Sequence, residues 1–428
     1  MRPCVRAFIV VAVLLGAASA HGEVLVRWTE DRIPSTQTLG APTVVIPSKN
    51  REAIRAALAA GHRVYVEVDA SALLSVTPPA GFAGIVVRGN ATNVQLAAVR
   101  RRLGLLDGRL LTLDERGKWP HIRSNWVTKN NEVLQVTGRS AQPWLENNAA
   151  LMRIAATERL PQPRLLTYTW TPITASEIDE GPALENYLVA IAEAGSFGED
   201  LLLPLHERFQ RQLVMGAPQA RRDWGEIRRY LEFYADNLPR QYRPVASIGV
   251  VTDAPARWFE IMNLLARHNL PFELISPAQL ARHAGGPLKL LIVLDEPGAP
   301  EKKALAAFER QGGMVQVVKE AKDPNRFALE MRRLLGPERR VVDIWNGITV
   351  IAAPYQAPDA SSVLLTVLNY AHQPLPVQLR VPGVFSEVFY ESPEEPGALV
   401  PQEHREGHTE FVLPALRVGA RVFLRRGP

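Results

Sequence analysis

Cysteine is almost absent from this 428-residue chain: Cys4 is the only one. It stands ahead of an apolar run, Ala7 to Leu15, that follows Arg2 and Arg6 and leads to the small residues Ala18, Ser19 and Ala20. That pattern predicts a secretory signal over residues 1–20, cleaved after Ala20, and hence an exported protein of periplasmic, cell-surface or extracellular destination. Without cysteine, the chain beyond residue 20 is expected to have no disulfide framework, cysteine-metal cluster or thiol nucleophile. Nothing downstream supplies the roughly 20 consecutive apolar residues that a membrane span needs, so no transmembrane segment is expected there. Other signatures are missing as well. There is no glycine-rich phosphate loop, no GxSxG elbow and no DxDxDG-like calcium loop. His121 and His206 each stand without a second histidine at metal-ligand spacing. No metal or cofactor is therefore expected.

What is present is the composition of a folded, multidomain chain. Hydrophobic residues make up 46% and charged residues 22%, which excludes a fully disordered protein. The net charge of +5 favours weak encounters with anionic surfaces. Its arginine-rich helices read as solvated faces, and no nucleic-acid partner is expected.

From Glu23 to Leu238 short apolar runs alternate with segments of helical period. Strands are predicted at Val24 to Trp28, Thr43 to Ser48, Arg63 to Asp69, Gly84 to Gly89, Arg109 to Asp114 and Arg164 to Trp170. Glu132 to Thr137 and Asp200 to Leu205 are two further candidates. Helices are predicted at Arg51 to Ala60, Asn93 to Leu103, Trp144 to Glu158, Pro182 to Ala194 and Arg222 to Tyr234. Repeated passage from strand to helix implies parallel strands covered by helices, here a complete or reduced TIM-like β/α barrel over 21–240. After "NLPRQYRP" a second α/β pattern begins, a flavodoxin-like domain over 241–340. Short strands punctuated by proline and glycine then predict a β-sandwich over 341–428.

In a β/α barrel, functional groups follow the carboxyl ends of strands. Asp69, Asp114 and Glu115 have that position. Alternation along the third strand sends Tyr65, Glu67 and Asp69 to one side and Val64, Val66 and Val68 to the other. A carboxylate at Glu67 is then expected to be paired, since burying an isolated charge is costly. Asp114 and Glu115 are adjacent and point in opposite directions. Glu115 is the preferred general acid or base, Asp114 the competing choice, and Asp69 or Glu146 the partner. The stretch from Trp119 to Trp144 adds flat apolar surfaces at Trp119, Trp126 and Trp144, together with polar groups at His121, Arg123, Lys129 and Asn130. Asn147 and Trp170 complete a set suited to a polar ligand with an apolar face, such as a sugar. A structural hub of packed tryptophans and paired arginines has the same composition.

Barrel, cysteine-free flavodoxin-like domain and β-sandwich in this order resemble multidomain glycoside hydrolases, including the family 42 beta-galactosidases, whose middle domain is amidotransferase-like. "SSVLLTVLNYAHQPLPVQLRVPG" (Ser361 to Gly383) is similar to the opening of C-terminal domains in such enzymes. The resemblance implies a barrel with an Asn-Glu pair in its acid/base apparatus and a middle domain that serves in oligomer formation. Here "LENN" offers Glu146 and Asn147 in the reverse order, and the middle domain lacks the cysteine of amidotransferases. The expectation is an exported glycoside hydrolase-like protein acting on a glycan or oligosaccharide by carboxylate acid/base catalysis, with homo-oligomer formation. Two alternatives stand beside it: a noncatalytic glycan-binding or envelope-assembly protein with a degenerate cleft, and a secreted protein-association scaffold. Two carboxylates facing across an open cleft would favour hydrolysis, whereas acids held in arginine pairs would favour binding.

Overall fold

A computed structural model describes residues 24–427 except 41, 107, 131–132, 159–162, 171–174, 284–286, 320–322 and 372; for 24, 123–144, 175–177 and 283 it describes the backbone alone. The signal segment expected at residues 1–20 lies outside the described residues.

The first region runs β1 (Val24–Arg27), α1 (Thr36–Leu39), β2 (Thr43–Pro47), α2 (Arg51–Ala59), β3 (Arg63–Asp69), β4 (Gly84–Arg88), α3 (Asn93–Leu103) and β5 (Leu110–Lys118). It continues with β6 (His121–Asn130), β7 (Val133–Glu146), α4 (Ala149–Thr157), β8 (Arg164–Thr169), α5 (Ala175–Glu180), α6 (Leu184–Phe197), β9 (Leu201–Pro204), α7 (Glu207–Val214) and α8 (Pro218–Tyr234). Seven parallel strands, β1-β2-β3-β4-β5-β8-β9, close into a barrel, with β9 pairing back onto β1. This is a reduced TIM-like barrel. One apolar residue per strand fills its axis: Leu25, Val45, Tyr65, Val86, Leu111, Leu165 and Leu202. The alternate residues, among them Val64, Val66 and Val68, face outward into the core shared with the helices.

Local sequence sets the helix ends. Thr92 and Gln95 form a capping box at the start of α3, and Gly104 ends it with φ 60°. The amphipathic α8 buries Trp224, Ile227, Leu231 and Tyr234.

Three expectations are corrected. Glu132 to Thr137 adds no barrel strand: Val133 onward belongs to β7, which forms an antiparallel hairpin with β6. The strand of Asp114 does not end there. It continues to Lys118 through a bulge, with Asp114 opposite Leu166 and Gly117 opposite Tyr168, so that Glu115 and Arg116 share the space of one partner residue. A Cβ at Gly117 would collide with the Thr167 carbonyl oxygen, so glycine permits that close return. The helix expected from Trp144 starts at Ala149 instead, because Glu146 still pairs with His121 and the Asn147 side chain accepts from Ala149 N.

Two connections depart from the alternating plan. Between β3 and β4 there is one 3-10 turn (Ala70–Ala72) rather than a helix. Between β5 and β8 stand the hairpin and α4, and α4 bridges two cores, with Leu151 and Met152 in that of the barrel and Ala150 and Ile154 in that of the second region. That region is a four-stranded parallel sheet in the order Phe272–Ile275, Ile248–Val251, Leu290–Val293, Met314–Val317, a flavodoxin-like arrangement. The third region is a sandwich of a six-stranded and a four-stranded sheet around a core that includes Leu365, Val377, Leu379, Phe411 and Val422. Arg243–Pro244, read from sequence as linker, pairs with Val350–Gln356 of that sandwich.

Candidate active site at the carboxyl end of the barrel

Two residues beyond the axial layer, period-two alternation points Arg27, Glu67 and Arg88 into the barrel mouth, and a further step along their strands adds Asp69 and Glu115. The contacts agree. Arg27 Nε donates to Glu67 Oε2 at 2.6 Å and its Nη2 to Oε1 at 2.8 Å, a two-pronged pair across the barrel. The Glu67 side chain is only 5% exposed. Arg88 Nε donates to Glu115 Oε1 at 2.9 Å, and this pair is open to solvent at 46% and 39%. Asp69 ends β3 on the exposed rim. The Arg27 guanidinium is held above its ordinary value by its hydrogen bond with Glu67, against the effect of burial, with the charges of Glu67, Glu115 and Asp69 adding to it. These carboxylates and Arg27 therefore share one field.

Of the four proposed acids, the mouth gathers Glu115 and Asp69. Asp114 lies on the other face of β5, as strand alternation requires, with its side chain 5% exposed. Arg116 donates to it from the backbone N at 3.0 Å, from Nε at 2.9 Å and from Nη2 at 2.7 Å, and Arg164 Nη1 lies 3.4 Å away. Burial alone would raise the proton affinity of Asp114, but the hydrogen bonds and charge of Arg116, with Arg164, bring it below the ordinary value. It is an ionised anchor of the wall and is not placed to exchange a proton in the mouth. Glu146 closes β7 opposite His121, and its charge falls on Glu260 of the second region, whose carboxyl is raised by burial first and by Glu146 next.

The aromatic residues are corrected too. Trp119 is 2% exposed and meets Tyr168, Trp170 and Tyr187 edge to face at 5.9, 5.8 and 5.4 Å. It is a core residue rather than an open sugar platform, and the half-buried Trp170 is packed on it. His121 is half-buried with Nδ1 2.8 Å from the Trp119 carbonyl oxygen. Asn147, 4% exposed, turns its side chain to the α4 backbone. Arg123, Trp126, Lys129, Asn130 and Trp144 lie on the β6–β7 hairpin, where Arg123 pairs with Trp144 and Asn130 with Val133. Their side chains are outside the described part.

Sequence reasoning missed Arg27 and Arg88, although the alternation that turned Glu67 inward applies equally to β1 and β4. It missed Glu193 outright. This α6 carboxylate is fully buried and accepts from Asn148 N and Nδ2 at 2.9 and 2.6 Å, Tyr168 Oη at 3.0 Å and Tyr370 Oη at 2.7 Å. Tyr370 belongs to the "LNYA" of the sandwich, so this cage ties barrel to sandwich. Burial raises the Glu193 carboxyl above its ordinary value despite these donors. Asn148 also clasps Lys118 N and O at the end of β5, at 2.8 Å each.

Among solved structures, the chain is similar to α-L-fucosidase isoenzyme 2 from Paenibacillus thiaminolyticus, with 9% identity, 95% of this chain and 100% of that chain covered and a TM-score of 0.59. The likeness is one of fold, a β/α barrel followed by further domains. Looser overlays are found with a rhamnosidase from Novosphingobium sp. PP1Y (12% identity, 88% and 38% covered, TM-score 0.44) and the GH42 beta-galactosidase Gan42B (11%, 80% and 64%, 0.39). No family model and no curated protein sequence matches the chain.

Proposed function

We propose that this chain is exported and binds a glycan at the carboxyl mouth of its barrel. The observation that carries the reading is the pairing of acids with arginines: both oxygens of Glu67 are taken by Arg27, and Glu115 is bridged by Arg88. A carboxylate clasped through both oxygens by a guanidinium is favoured in its ionised form and so holds no proton to give a glycosidic oxygen, although its free lone pairs can still accept from hydroxyls. Such pairs do present fixed donors and acceptors, which suits sugar hydroxyls. Hydrolysis is the second reading, favoured by the solvent-open Glu115, which is bonded through Oε1 to a partner that can swing away, and by the exposed Asp69 in the same field.

Screening the full chain on a glycan array, then titrating the selected sugar and chromatographing the mixture, separates these readings. Binding is expected without product, and Arg88→Gln is expected to weaken it about tenfold, the scale of one lost charged hydrogen bond. Product formation abolished by Glu115→Gln would replace binding with hydrolysis. Retention of no glycan would defeat both.

A further inference from the structure

We infer that the groove on the outer wall of β5 is a second subsite, taking a further unit of a neutral oligosaccharide whose first unit sits at the mouth. The inference rests on the glycan-binding reading and names the substrate class: a neutral chain of at least two sugars.

The groove has a volume of about 600 Å³, within the usual range for a small-molecule site. It lies beside β5 between the start of α3 and Glu158 at the end of α4, which packs into the barrel core through Leu151 and Met152 and into the second region through Ala150 and Ile154. Its walls come from four places: Asn90 and Asn93 at the start of α3, Thr112 and Asp114 on β5, Glu158 after α4 and Arg164 on β8. Glu115 lines it as well, while bonding Arg88 of the mouth, so the two spaces meet at one side chain.

The charges argue for a neutral ligand. Each carboxylate lining the groove is already met by a guanidinium: Asp114 by Arg116 and Arg164, Glu158 by Arg116 at 2.7 Å, and Glu115 by Arg88. Because each of these carboxylates already has its counter-charge, the groove holds no unbalanced acid that calls for a charged ligand, and a hydroxyl can donate to the remaining lone pairs of Asp114 and Glu158 without disturbing the pairs. The half-buried Ala91 adds apolar surface against which the C–H face of a pyranose can lie.

The test is calorimetric titration of the full chain with mono- to tetrasaccharides of whichever neutral series, cello-, malto-, xylo- or galacto-, the array selects. The tetrasaccharide is expected to bind about tenfold or more tightly than the monosaccharide, a gain typical of a few added contacts. Asn93→Trp fills the groove from an exposed position and is expected to erase that gain while leaving the monosaccharide Kd unchanged. Asn90→Trp, also exposed, is a second obstruction should the first disturb α3, and circular dichroism checks each. A gain that survives both substitutions, a wild type with no gain, or preference for a uronic-acid oligomer over the neutral one would overturn the inference, while monosaccharide binding sensitive to Arg88→Gln would keep the mouth reading. Loss of all binding in the wild type would remove both.

Discussion

Acids in the barrel wall and mouth, and the acid in the seam between barrel and sandwich, are buried in different company. Asp114 and Glu67 are each met by arginine; Glu193 is met only by amide and phenol donors. The first arrangement keeps charge in place where a ligand can use it, and Asp114 has its proton affinity lowered. The second leaves a carboxyl whose affinity is raised by burial, and whose hydrogen bonds join three parts of the chain. Guanidinium pairing makes a charged wall, whereas a neutral cage makes a joint.

The comparison can be broken by substitution. Glu193→Ala is expected to have the largest effect, about 4 kcal/mol of lost stability in urea denaturation, because two tyrosine hydroxyls and Asn148 lose their acceptor inside the fold. A loss below about 1 kcal/mol would show that the cage is no joint. Glu67→Ala is expected to cost about 3 kcal/mol by stranding the Arg27 charge, and Glu67→Ala with Arg27→Met should recover much of it.

pH then separates the two settings by sign. The Asp114 carboxyl is lowered, so its contribution is present above the unfolded value of about 3.9 and is lost as pH falls through the folded value. The Glu193 carboxyl is raised, so the folded chain takes up that proton first, and its contribution grows as pH falls toward the unfolded value of about 4.3. Stability measured against pH for wild type minus Asp114→Asn, and for wild type minus Glu193→Gln, should therefore bend in opposite directions on acidification. Curves bending the same way would dissolve the contrast. The smallest structural effect is expected for Glu115→Gln: under about 0.5 kcal/mol in stability, since its pair is solvent-open, but with a measurable loss of glycan affinity.

The sequence made the barrel wall legible where local pattern was enough. Apolar runs marked β1 to β5, β8 and β9, and alternation put Glu67 on the side of Tyr65 and set Asp114 against Glu115. Helical periodicity marked α3. Failure came where a residue's neighbours are distant in the chain. Trp119 looked like a platform because its loop is polar, yet Tyr168, Trp170 and Tyr187 close around it. Asn147 looked like a ligand group and serves a helix start. The hairpin hid because β7 carries the same apolar pattern as a barrel strand.

The amino-acid order by itself determined the period-two faces, because side-chain direction in a strand follows from backbone geometry alone. It thereby determined which acids point inward. What those acids meet was decided only by closure. Arg27 reaches Glu67 across 40 residues and Arg88 reaches Glu115 across 27, while Glu193 draws its donors from 25, 45 and 177 residues away. A carboxylate becomes part of a charged wall or of a hydrogen-bonded joint according to the donor that arrives, and that depends on how the strands and domains pack.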